Sequence, residues 1–157
     1  MIRTRFTELA GVRHPIVLGG MSGGTSPELV AAVSNAGGLG IYGASQRARF
    51  GAALSAEEMR SLGDRIRALT TSPFGLNLLL FDASLDDVDT LLACRPRVLS
   101  TAWRRPDQDL GAVAQRAHAA GALFMHQADT LDEAQRGAEA GVDIIVAQAP
   151  RAGDTLV

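Results

Sequence analysis

The chain contains no lysine; all 15 of its basic residues are arginine. Schiff-base catalysis and a P-loop lysine are therefore excluded. One cysteine, Cys94, cannot form an internal disulfide, and its place in a helical pattern ahead of Arg95-Pro96 reads as a small buried hydrophobe. Three histidines, His14, His118 and His126, have no ligand-like spacing, so no metal centre is expected. Net charge is only −2 and no basic patch is dense, which argues against a nucleic-acid partner. No apolar run approaches the length needed to span a membrane, and the N-terminal residues lack an apolar signal core. A soluble protein of a reducing, cytoplasmic compartment is expected, with no membrane partner.

What is present is a repeat of apolar run, turn and amphipathic helix over 157 residues. Runs rich in aliphatic residues begin near Ile16, Leu39, Phe74, Val98, Leu123 and Ile144, spaced by about one βα unit. Helix starts are marked by Ser26-Pro27-Glu28 and by capping-box patterns at Ser55–Glu58 and Thr130–Glu133, with a shorter variant at Ser84–Asp87. Gly37, Gly121 and Gly141 suit helix-ending left-handed positions, and Pro96 ends another helix. Leu29, Val30 and Val33 share one helix face; Met59, Leu62, Ile66 and Leu69 share another. The runs from Phe74 and Val142 are nearly continuous, as in a parallel sheet covered by helices. The reading is α/β, a single domain over residues 1–157, with five βα units and a sixth strand. A closed (β/α) barrel needs about 200 residues or more. The sheet is therefore either open and doubly wound or an incomplete barrel.

In both architectures ligands meet the C-terminal ends of the strands. The loop Gly19–Gly24 offers backbone amides to a planar ring or an anion, or is a tight turn with Met21 as filler. Asn77 interrupts an apolar strand, and a buried amide must be hydrogen-bonded to a ligand or to neighbouring backbone. His126 lies at the C-terminal end of the fifth strand. It reads as facing the pocket, where an imidazole serves acid–base chemistry, or as a satisfied strand-end histidine. Trp103, Arg104 and Arg105 follow the fourth strand as an anion-binding rim or a hydrophobic lid with solvated charges. Gly38-Leu-Gly40-Ile-Tyr-Gly43 matches a dinucleotide fingerprint formally, but it follows a helix and enters a strand, the reverse of what that fingerprint requires.

Four segments carry a family resemblance: Arg13-His-Pro-Ile-Val-Leu-Gly-Gly-Met21 with Ser22, Ser26 through Gly40, Pro73-Phe-Gly-Leu-Asn77, and Glu139 through Gln148. Together they resemble the opening of the nitronate monooxygenase (2-nitropropane dioxygenase) family, FMN-dependent (β/α) barrels. The resemblance covers nearly the whole chain but only the N-terminal part of the family, so it implies a TIM-barrel-like fold that is incomplete, with about six strands. It implies FMN as cofactor, contacted by Gly20, Met21, Ser22, Asn77, Gln148 and Gly153, with His126 as acid–base residue. The implied reaction is oxidation of alkyl nitronates or nitroalkanes by O₂. The family's histidine position holds Thr155, and Arg151 stands where a glutamate belongs. The family's phosphate-binding loops have no counterpart here. A flavin-dependent enoyl reductase from a similar barrel family is the second enzymatic reading. The third is an inactive barrel fragment. A homo-oligomer or a completing partner chain is expected to cover the open sheet.

Overall fold

The computed structural model describes residues 2–21, 23–44 and 55–148. Ser22, Arg151, Gly153 and Thr155 lie outside the described residues. The elements run α1 (Arg5–Ala10), β1 (Val17–Leu18), α2 (Pro27–Asn35), β2 (Leu39–Gly43), α3 (Ala56–Leu69) and β3 (Phe74–Leu79). They continue through α4 (Leu85–Leu92), β4 (Val98–Ala102), α5 (Leu110–Ala119), β5 (Leu123–Ala128), α6 (Leu131–Glu139) and β6 (Ile144–Ala147). The six strands pair in parallel in the order β1-β2-β3-β4-β5-β6. Sequential order removes the doubly wound alternative, in which the order reverses at a switch point. The sheet is a curled half-barrel with flanking helices.

Local chemistry explains the element boundaries. Ser55 and Glu58 form a reciprocal capping box, as do Ser84 and Asp87. Thr130 receives the Glu133 amide, but the Glu133 carboxylate turns elsewhere, so only half of that expected box exists. Gly37, Gly121 and Gly141 have φ of 95°, 76° and 92°, the left-handed values that glycine supplies without steric cost. Helix α1 has no sequence-level counterpart above. It starts on a capping box of Thr4 and Thr7 and ends at Gly11.

Two apolar layers lie on opposite faces of the sheet. On the outer face, Leu76, Leu78, Leu99 and Phe124 pack against helix residues such as Val30, Ile66, Val88 and Val113. On the inner face, Leu39, Ile41, Val98 and Met125 pack with Ile144, Val146 and, from the N-terminal segment, Phe6 and Val12. Alternation along a strand assigns the remaining positions. Asn77, Ser100, Gln127 and Gln148 fall on the inner face. Leu29 and Leu69, grouped with core positions in the helical pattern, are instead exposed.

Candidate functional site

The loop after β1 is held against β2 and β3. The Met21 carbonyl accepts the amides of Gly24 at 2.9 Å and Thr25 at 3.0 Å, and the Thr25 hydroxyl at 3.1 Å. That hydroxyl in turn accepts the Gly43 amide at 3.0 Å, so buried Thr25 ties the loop to the end of β2. A Cβ on Gly20 would lie 2.5 Å from Asn77 Cβ and 3.3 Å from Gly43 Cα. The backbone therefore crosses directly over Asn77, and only glycine fits there. Met21 itself is exposed.

Gly20 and Asn77 are thus brought together, with Gln148 on the same face beyond β6. Asn77 pairs in register with Ser100, and Gln127 with Val146. Gln148 Oε1 is sealed from solvent without a donor. A buried acceptor left unpaired costs roughly 1–3 kcal/mol, which makes Gln148 Oε1 a candidate acceptor for a donating ligand. A flavin ring fits: it presents an N–H between two carbonyls, matched to carboxamides that both donate and accept. Ser100, Gln127 and Thr25 add to the residues expected from the sequence. Ser100 and Gln127 are polar breaks in an inward apolar stripe, a signal that strand alternation carries; Thr25 has no such signal.

His126 corrects its expected orientation. It shares parity with Phe124, whose ring centroid is 6.2 Å away, and it is 1% exposed beneath α6 on the outer face. Its Nε2 lies 3.3 Å from Glu133 Oε1 and its Nδ1 lies 2.7 Å from Thr101 Oγ1. With Glu133 ionised, Nε2 carries the proton and Nδ1 accepts from the Thr101 hydroxyl. Burial lowers the His126 pKa below its ordinary value of 6.5, opposed by the Glu133 carboxylate. The imidazole is a neutral linker between β4, β5 and α6. Glu133 Oε2 also accepts the Asp129 amide at 3.0 Å, and Arg104 Nε lies 3.9 Å from Oε1. His118 pairs with Asp143 at 2.9 Å, and His14 is exposed.

Trp103 has φ of 54°, a left-handed conformation that costs about 1–3 kcal/mol for a bulky side chain. Arg104 is mostly buried, and its Nη1 donates to the carbonyls of Arg105 and Pro106 within its own loop. No group of metal-ligating side chains occurs among the described residues. No helix among them is long and apolar enough to cross a membrane.

Comparison with known proteins bears on the family and the fold. The profile of the nitronate monooxygenase family matches residues 3–90. A (3aS,4S,5R,7aS)-5-hydroxy-7a-methyl-1-oxo-octahydro-1H-indene-4-carboxyl-CoA dehydrogenase from Rhodococcus jostii is 35% identical over 154 residues, covering 97% of this chain and 40% of the relative. FabK from Thermotoga maritima superposes with a TM-score of 0.80 at 29% identity, over 94% of this chain and 44% of that one. A nitroalkane oxidase from Streptomyces ansochromogenes superposes with a TM-score of 0.71 at 28% identity, over 92% and 48%. The chain spans 40–50% of the length of the curated relatives it matches.

Proposed function

The chain belongs to the nitronate monooxygenase family, and from that premise we propose that it is part of an FMN-dependent oxidoreductase acting on alkyl nitronates with O₂. The observation that carries this reading is the unpaired Gln148 Oε1, on the same face as the close approach of Gly20 to Asn77. Gly20 and Met21 would approach the ring with backbone atoms, and Asn77, Gln127 and Gln148 would hold its polar edge. Ser22 and Gly153 complete the expected contacts. Transfer of electrons from nitronate to O₂ is the chemistry that bound FMN supplies. The residues of this chain orient the ring and exclude water from its inner side, where Met125 and Val146 are the apolar neighbours of Ser100 and Gln127.

His126 is assigned to positioning. Sealed behind the sheet, it cannot reach a proton on a substrate at the inner face. Thr155 stands where the family carries its histidine, and a threonine hydroxyl is no base near neutral pH. The substrate is therefore taken already ionised. Steady-state assays with propane-2-nitronate and with neutral 2-nitropropane test this: turnover of the nitronate alone is expected, and equal turnover of the nitroalkane would refute it.

A second reading is favoured by the 35% identity to the indene-carboxyl-CoA dehydrogenase. It makes the chain part of a flavin oxidoreductase of acyl thioesters, akin to the enoyl reductase-like alternative. Anaerobic reduction of the flavin by NAD(P)H would support the enoyl reductase form of that reading over the nitronate one. Under either reading, a second copy or a completing chain covers the edges of β1 and β6.

A further inference from the structure

The aromatic pair above β3 and β4 has no task in the flavin reading. Trp103 is the first residue past β4, and its backbone is left-handed. Arg95, the other described non-glycine residue with positive φ, closes the end of α4, where its amide bonds back to Leu92 at 2.8 Å. Trp103 ends no helix. A bulky residue keeps such a backbone only where its surroundings impose it, and such positions concentrate at ligand sites.

The surroundings here are a clamped loop. Gln108 Nε2 donates to the Leu80 carbonyl at 2.5 Å and the Ala83 carbonyl at 3.2 Å, while its Oε1 accepts the Arg105 amide at 2.8 Å. The Arg105 guanidinium donates to the Phe81 carbonyl. Residues 103–108 are thereby tied to the 3-10 turn Leu80–Asp82 that follows β3. The indole lies 6.3 Å from the Phe81 ring at 39° and stays 37% exposed.

Register fixes the strand ends from which this pair rises. Ala102 pairs with Leu79, one inner-face position beyond Asn77 and Ser100. Both are apolar, as is Val146, and Gln127 is the polar side chain level with them. We infer that Trp103, backed by Phe81, is a specificity-determining wall that binds an apolar ring on the substrate. A substrate that bears a ring is then preferred over one with a short alkyl chain alone. The inference rests on the proposed use of the inner face, yet it can be read without the cofactor.

Trp103 is the sole tryptophan, so its emission reports its own site. The full chain is titrated with 3-phenylpropionate and, separately, with propionate, each with and without FMN, while FMN binding is followed by flavin absorbance. A saturable emission change is expected at about tenfold lower concentration for 3-phenylpropionate than for propionate. Calorimetry on variants completes the test. Trp103→Phe keeps the ring affinity. Trp103→Gly loses about tenfold, yet melts no lower than Trp103→Ala because glycine tolerates the left-handed backbone. Equal responses to the two probes, or undiminished affinity in Trp103→Gly, overturn the wall. FMN binding without ring preference removes the wall alone; ring preference without FMN binding keeps the wall and removes the cofactor reading.

Discussion

Gly20 and Gln148 show how single residues define the proposed ring site. At Gly20 the constraint is steric: a methyl group would meet Asn77 Cβ at 2.5 Å and Asn77 Cγ at 3.0 Å. Gly20→Ala is predicted to destabilise the fold by about 1–3 kcal/mol and to weaken FMN binding, because either the loop or Asn77 must shift. Chemical denaturation and flavin titration check the two effects. At Gln148 the constraint is electrostatic. Gln148→Leu removes an acceptor that no protein donor satisfies, so the fold should keep its stability while FMN affinity falls about tenfold. A loss of stability without loss of affinity would show that the side chain serves the core. Asn77 stands out in the sequence because it breaks an apolar strand, and Gln148 because its segment carries the family resemblance. Gln127 was not, because its neighbour His126 is the more conspicuous residue. Adjacent strand residues face opposite sides, and buried Phe124 on the helix side settles which of the two faces inward.

At the scale of elements, the join between β5 and α6 carries a titratable device. His126 is neutral in the fold because burial lowers its pKa from 6.5, against the pull of Glu133, while Arg104 adds to the lowering. The unfolded chain takes up a proton that the fold resists. The stability from this group is therefore complete above about pH 6.5 and is lost as pH falls through the lowered folded value. Melting temperatures between about pH 5 and 8 should fall on the acid side, and His126→Gln should flatten that slope. An unchanged slope would place the acid sensitivity elsewhere. Most elements were readable before the structure: Ser26, Ser55, Ser84 and Thr130 all cap helices, and Gly37, Gly121 and Gly141 all end them. Helix α1 was missed because it is six residues long with a Thr–Thr capping box, too short to show periodicity. The Glu133 carboxylate departs from its expected box because a buried imidazole and the Asp129 amide compete for it.

At the scale of the molecule, the sheet is paired internally from β1 to β6, and its outer strands differ from its middle ones. Ile16 and Val17 at one edge and Ile145 at the other are exposed, while β4 is buried throughout. Apolar strand edges pair with further strands. Sedimentation or size-exclusion with light scattering is predicted to give an assembly larger than one chain, or a complex with a completing chain. A clean monomer across concentrations would contradict this. The parallel, helix-covered sheet was legible from the continuous apolar runs, and the family from the Gly20, Asn77 and Gln148 segments. The direction of His126 and the pairing of Trp103 with Phe81 were not, since both depend on contacts between segments distant in sequence. The measurement that bears most directly on the central claim is titration of the purified chain with FMN, read by flavin absorbance and fluorescence quenching, beside Gln148→Leu. Saturable binding at micromolar or tighter affinity, weakened in the variant, is the predicted result. Absence of saturable binding, or equal binding by both proteins, would contradict a flavin site on the inner face.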